Sequence, residues 1–203
     1  MKAAIAVIIA ASLWFIMFSR WTAPHLNFWA AMSVSAVILT AYARISCPGL
    51  WTAAKFRAAD IVCGVVAAAI LWGVFWTGDK VSSWILGFAR PQVELIYGIK
   101  GETPAWLLST LLLLLVGPAE EFFWRGYIQR TLSEKWNPDA GAAATLALYT
   151  FIHLPSCNFM LVAAAFTAGL FWGLLYRLFP ERLWTIVISH AIWDAAVFVW
   201  FPI

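Results

Sequence analysis

The segment Gly117–Arg130, GPAEEFFWRGYIQR, follows the run LLSTLLLLLV of residues 107–116, whose composition suits lipid. Glu120, Glu121 and Arg125 therefore stand where a greasy helix ought to continue. Pro118 has no N–H to give to a helix ladder, so it is expected to kink the span or to start its second half. The two acids then fall in the first turn of that half, where a helix N-terminus favours negative charge. An acidic helix start in water would look the same. The FFW that follows argues against water, and carboxylates inside a membrane span are costly and usually paired or functional.

Composition agrees with a membrane setting. Of 203 residues, 64% are hydrophobic and only 11% charged, and the mean hydropathy is +0.84. A soluble domain needs a more polar surface. The net charge of +3 is small and the basic residues sit between apolar runs, which excludes a nucleic-acid-binding surface. Cys47, Cys63 and Cys157 lack metal-ligand spacing and are expected as buried free thiols. The opening MKAAIAVIIAASLWFIMFSRW has the layout of a signal peptide, but no small-residue cleavage site follows, so it is taken as a retained first helix.

Apolar runs near 3–19, 27–43, 58–77, 105–131, 140–154, 159–176 and 183–202 predict an all-α, polytopic transmembrane bundle of seven or eight helices. The segment 81–99 carries Arg90, Pro91 and Glu94 and reads as interfacial, re-entrant or an eighth span. No linker divides the chain, so 1–203 is one membrane-integral domain. Seven spans with the N-terminus inside put Lys2, Arg44, Lys55, Arg57, Arg125, Arg130, Lys135, Arg177 and Arg182 inside. Only Arg20, Lys80, Arg90 and Lys100 then lie outside, and this excess supports the orientation. The loops 44–57 and 132–139 are accordingly expected in the cytoplasm.

Spacing separates the two acids. Glu121 and Arg125 are i,i+4 and pair on one helix face. Glu120 is turned by about 100° and lies over Trp124 and Tyr127, without a counter-ion. An unpaired carboxylate in poor solvent is a stronger base than one held by a guanidinium. Downstream, His153 interrupts ALYTFIHLPS, and His190 and Asp194 share a helix face in VISHAIWDAAVF. Counted from the cytoplasmic helix ends, the three polar intrusions lie ~11–20 Å deep, at one level on the cytoplasmic side.

Together these motifs resemble the CPBP family of intramembrane proteases, which includes the type II CAAX prenyl endopeptidases and bacterial relatives linked to bacteriocin processing and self-immunity. EEFFWR matches its EExxxR, YTFIH stands at its FxxxH, and HAIWD at its HxxxN or HxxxD. The resemblance covers about 117–200. The catalytic core is therefore set at 104–203, and 1–103 resembles the family only as generic membrane helices. It implies a glutamate-dependent endopeptidase acting on a membrane-anchored or C-terminally modified peptide or protein, in a bacterial cytoplasmic membrane. Carried over by position, Glu120 activates water with help from His153, Glu121 and Arg125 hold the motif helix, and His190 and residue 194 face the oxyanion.

Two positions depart from the family pattern. Tyr149 replaces the Phe of FxxxH, which adds a hydroxyl and is expected to change little. Asp194 replaces Asn, and an ionised Asp cannot donate to an oxyanion, so it is expected to orient His190 instead. Zn²⁺ would accept Glu120, His153, His190 and Asp194 as ligands. No HExxH and no histidine pair on one helix supports it, so no cofactor is expected. Two other classes compete with the protease. A non-catalytic scaffold or immunity protein predicts motif positions that tolerate polar swaps. A small transporter predicts inverted hydropathy repeats, and none is found.

Overall fold

A computed structural model of the chain describes residues 1–49 and 54–203. Among the described residues eight helices follow one another: α1 (Lys2–Phe18), α2 (Phe28–Ser46), α3 (Ala59–Ile85), α4 (Ala89–Gly98), α5 (Ala105–Lys135), α6 (Pro138–Phe151), α7 (Phe159–Leu178) and α8 (Leu183–Ala195, prolonged by a wide turn to Trp200). No strand occurs among the described residues. Among them, five helices are long and apolar enough to cross a membrane: α2, α3, α5, α7 and the 180–200 helix. The chain is thus an all-α bundle, as its hydropathy runs predict.

Contacts between helix ends fix the direction of each helix. The Tyr42 hydroxyl donates to the Lys2 carbonyl, so α1 and α2 are antiparallel. Arg177 meets Asp139, joining the end of α7 to the start of α6. Trp184 donates to the Ala54 carbonyl and Trp200 to Ser109, joining both ends of α8 to α3 and α5. One face thus collects 19–27, 86–104, 152–158 and 201–203. The other collects the N-terminus, 47–49, 54–58, 136–137 and 179–182. Every cation assigned inside, except Arg125, lies toward the second face, which the positive-inside rule predicts to be the cytoplasmic one. Arg125 is buried and belongs to no loop. Part of the 44–57 loop, residues 50–53, lies outside the described residues.

Three boundaries differ from the hydropathy reading. α3 runs to Ile85 and absorbs Asp79 and Lys80. The uncertain 81–99 piece resolves into the last turn of α3 and the ten-residue α4, ~15 Å long and too short to span. α4 instead lies across the bundle end: Gln92 accepts from Asn158 and from the Met160 N–H, and the Tyr97 hydroxyl donates to the Val197 carbonyl. Pro118 does not start a new helix, since α5 runs unbroken from Ala105 to Lys135. The turns at Leu112–Val116 and Phe122–Gln129 are widened to i→i−5 hydrogen bonds, from Gly117 to Leu112 and from Arg130 to Arg125. A widened turn lets the helix absorb a residue that cannot donate, and such turns recur at functional sites. The thiols are free, but Cys63 and Cys157 are exposed and only Cys47 is partly covered.

α5 is the axis of the bundle. Val116, Phe123, Trp124 and Tyr127 pack with α1, α2 and α6, while Phe122 joins the cluster of α3, α7 and α8. Every side chain from Phe122 to Gln129 is buried, so the motif has no lipid-facing side. Gly117 permits this closeness: a Cβ there would stand 2.7 Å from the Ala191 Cα and 2.9 Å from its nitrogen. Contacts that short do not occur, so any larger residue forces α8 off α5. At the cytoplasmic end the buried Asp60 ties α3 to α8, accepting from Thr185 at 2.6 Å and Arg182 at 3.0 Å. Exposed Trp21, Trp84, Trp106 and Trp200 ring the opposite face, as interfacial tryptophans do.

Candidate active site

The first turn of the motif holds the two acids in different company. Glu121 has no exposed surface. Its Oε1 accepts from Arg125 Nη1 at 2.7 Å and from His190 Nδ1 at 2.6 Å. The i,i+4 spacing predicts the first bond. The second crosses from α5 to α8, which Gly117 admits to contact distance. Arg125 also donates through Nη2 to the Gly169 carbonyl at 3.2 Å, and its guanidinium lies over the rings of Tyr149 and Trp172. Its planar fork thus binds α5 to α7.

Glu120 points elsewhere. Its Oε2 accepts from the Tyr149 hydroxyl at 2.9 Å, and no cation pairs with it among the described residues. It borders a cavity of about 430 Å³ whose wall also includes Tyr149, His153, His190 and Asp194. The four residues singled out for chemistry therefore border one space, lined by apolar and aromatic groups such as Phe28, Met32, Phe75, Trp172 and Trp193. The cavity lies toward the α4 end, lined by Asp79, Leu86, Tyr97 and Ile203. Depth counting had put the site on the cytoplasmic side. α6 ends at Phe151 and His153 follows it, toward the α4 end, while Glu120 stands midway along α5.

His190 is held on both sides. Nδ1 meets Glu121, and Nε2 lies 3.4 Å from Asp194 Oδ2. Trp172 stacks on the ring at 3.8 Å, and its own N–H donates to Ser189. Both ring nitrogens thus face acceptors and are suited to carry N–H groups. Asp194 was expected to orient the ring, but Glu121 makes the shorter bond. It was missed because 69 residues separate it from His190.

His153 is fully engaged. Its Nδ1 lies 2.7 Å from the Tyr149 carbonyl, and its Nε2 takes the Trp14 N–H at 3.1 Å. Indole only donates and a carbonyl only accepts, so the proton sits on Nδ1 and both nitrogens are used. Trp14 on α1 and Trp172 on α7 are two site residues the motifs do not name. A lone Trp in an apolar helix carries no distinguishing spacing. Among the described residues, no three His, Cys, Asp or Glu side chains stand close enough to hold a metal ion together.

The family model for type II CAAX prenyl endopeptidase, Rce1-like, matches residues 102–196. No curated protein and no solved structure matches the chain. The matched segment contains Glu120, Glu121, Arg125, His153, His190 and Asp194 and spans α5 to the end of α8. Across that segment the chain is similar to the Rce1-like type II CAAX prenyl endopeptidases, a protease family, and the long apolar helices around it suit a membrane protein.

Proposed function

We propose that the protein is a glutamate-dependent intramembrane endopeptidase, in which Glu120 activates water against a peptide bond of a membrane-anchored or C-terminally modified substrate. The observation that carries this reading is the division of labour between adjacent acids. Glu121 is locked by Arg125 and His190, whereas Glu120 faces the cavity with one neutral hydrogen-bond partner. Only the second is placed to take a proton from water.

The sequence of events follows from these positions. Water beside the free Oε1 of Glu120 gives up a proton and attacks the scissile carbonyl carbon. The oxyanion formed is met by the Nε2–H of His190, held in place by Glu121 behind it and by Asp194 beside it. The proton on Glu120 then passes to the leaving amine as the C–N bond breaks, restoring the carboxylate. No step requires a metal. His153 gives no free nitrogen to this chemistry in the arrangement described. The location proposed is a bacterial cytoplasmic membrane.

The test is cleavage of peptide probes by purified protein in proteoliposomes, using internally quenched peptides with and without a C-terminal prenylcysteine segment. Glu120→Gln keeps shape and hydrogen bonding but removes the base, so cleavage is lost from a protein that still purifies as a folded monodisperse species. A chelator leaves wild-type turnover unchanged. Full activity in Glu120→Gln, or loss on chelation restored by Zn²⁺, refutes the mechanism.

A further inference from the structure

The residue of α6 that touches Glu120 is not the histidine of the motif. Tyr149 stands one helical turn before His153, and its hydroxyl donates to Glu120 Oε2 at 2.9 Å between two buried side chains. Its ring is fixed from several directions. Trp124 meets it edge-on at 5.3 Å and the Arg125 guanidinium lies over it at 5.1 Å. Gly169 leaves room for it, since a Cβ there would come within 2.9 Å of the Tyr149 Cδ1. His153 holds the Tyr149 carbonyl through Nδ1, and Trp14 holds His153 through Nε2. A chain of contacts thus runs from α1 through His153 and Tyr149 to the carboxylate.

We infer that Tyr149 is the positioning residue for Glu120, with His153 and Trp14 bracing it through its carbonyl. The phenylalanine at this point of the motif pattern has no hydroxyl to make the bond, so the device belongs to this chain. The hydroxyl fixes Oε2 and leaves Oε1 as the atom turned to the cavity. It also stabilises the ionised carboxylate, because a hydrogen bond to a charged acceptor is among the stronger ones in a dry site. The inference rests on Glu120 being the base for the cleavage reaction, but its geometry can be tested without any substrate.

The experiment compares wild type with Tyr149→Phe, which removes one oxygen and keeps the ring. Dicyclohexylcarbodiimide is the probe, since it reacts with protonated carboxyl groups inside membranes. The labelling rate of Glu120 at about pH 9, where few of the carboxyl groups carry a proton, is read by peptide mass spectrometry, with Glu120→Gln as the blank. Loss of the donor should speed labelling about tenfold, and cleavage of a peptide probe should fall by a similar factor in kcat with little change in KM. Equal folding is checked by thermal melting in detergent. A Glu120 labelling rate within twofold of wild type overturns the inference, whatever cleavage does. A wild type that cuts no peptide while Tyr149→Phe still labels faster supports the inference and counts against the protease reading alone.

Discussion

Arg125→Met is the perturbation that tests the bundle most directly. Arg125 is 1% exposed and Glu121 is 0% exposed, so neither charge has access to solvent. Methionine keeps the apolar stem and most of the volume, which limits the cavity contribution. What disappears is the 2.7 Å bond to Glu121 and the 3.2 Å bond to the Gly169 carbonyl. Breaking a buried pair by removing one partner costs about 3–5 kcal/mol, because the remaining charge stays buried without compensation. His190 still reaches Glu121 and keeps the loss toward the lower end of that range. A cost of about 3 kcal/mol is more than a hundredfold in the folding equilibrium. The assay is reversible unfolding in mixed micelles followed by tryptophan fluorescence. Glu121→Gln should cost at least as much, since it strips both Arg125 and His190 of their carboxylate. The double variant should be less destabilised than the sum of the two, because the pair is coupled. Arg125→Lys should rescue little, since an ammonium does not reproduce the fork that reaches Glu121 and Gly169 together. If Arg125→Met lies within about 1 kcal/mol of wild type, or the two effects simply add, the account of the Glu121 knot is wrong.

Two further outcomes are expected. Gly117→Ala puts a Cβ 2.7 Å from the Ala191 backbone, so overpacking should cost about 1–3 kcal/mol. It should lower activity further by separating His190 from Glu121, and unchanged melting and turnover would refute the close approach. Cys157 is exposed at the α4 face and Cys47 lies at the opposite one. A membrane-impermeant maleimide should therefore label Cys157 in intact cells and Cys47 only in inverted vesicles, and the reverse pattern would invert the orientation.

The hydropathy runs determined the all-α membrane bundle, because lipid demands long apolar helices with their backbone groups satisfied internally. Local spacing determined the Glu121–Arg125 pair and the shared face of His190 and Asp194, since i,i+4 neighbours meet whatever surrounds the helix. The motifs likewise picked out Glu120 as the acid without an internal counter-ion. What the sequence left open depends on distances across the bundle. The bond from His190 to Glu121 exists because Gly117 lets α8 approach α5. The engagement of His153 depends on Trp14, a residue 139 positions away on a helix with no recognisable motif. The hydroxyl of Tyr149 looked incidental until Glu120 was found at its end. The opening of the cavity toward α4 was likewise not legible, because α4 is laid across the bundle end by its bonds to Asn158, Met160 and Val197. Periodicity reports which residues share a helix face, but only tertiary packing decides which faces meet and which nitrogen is left free.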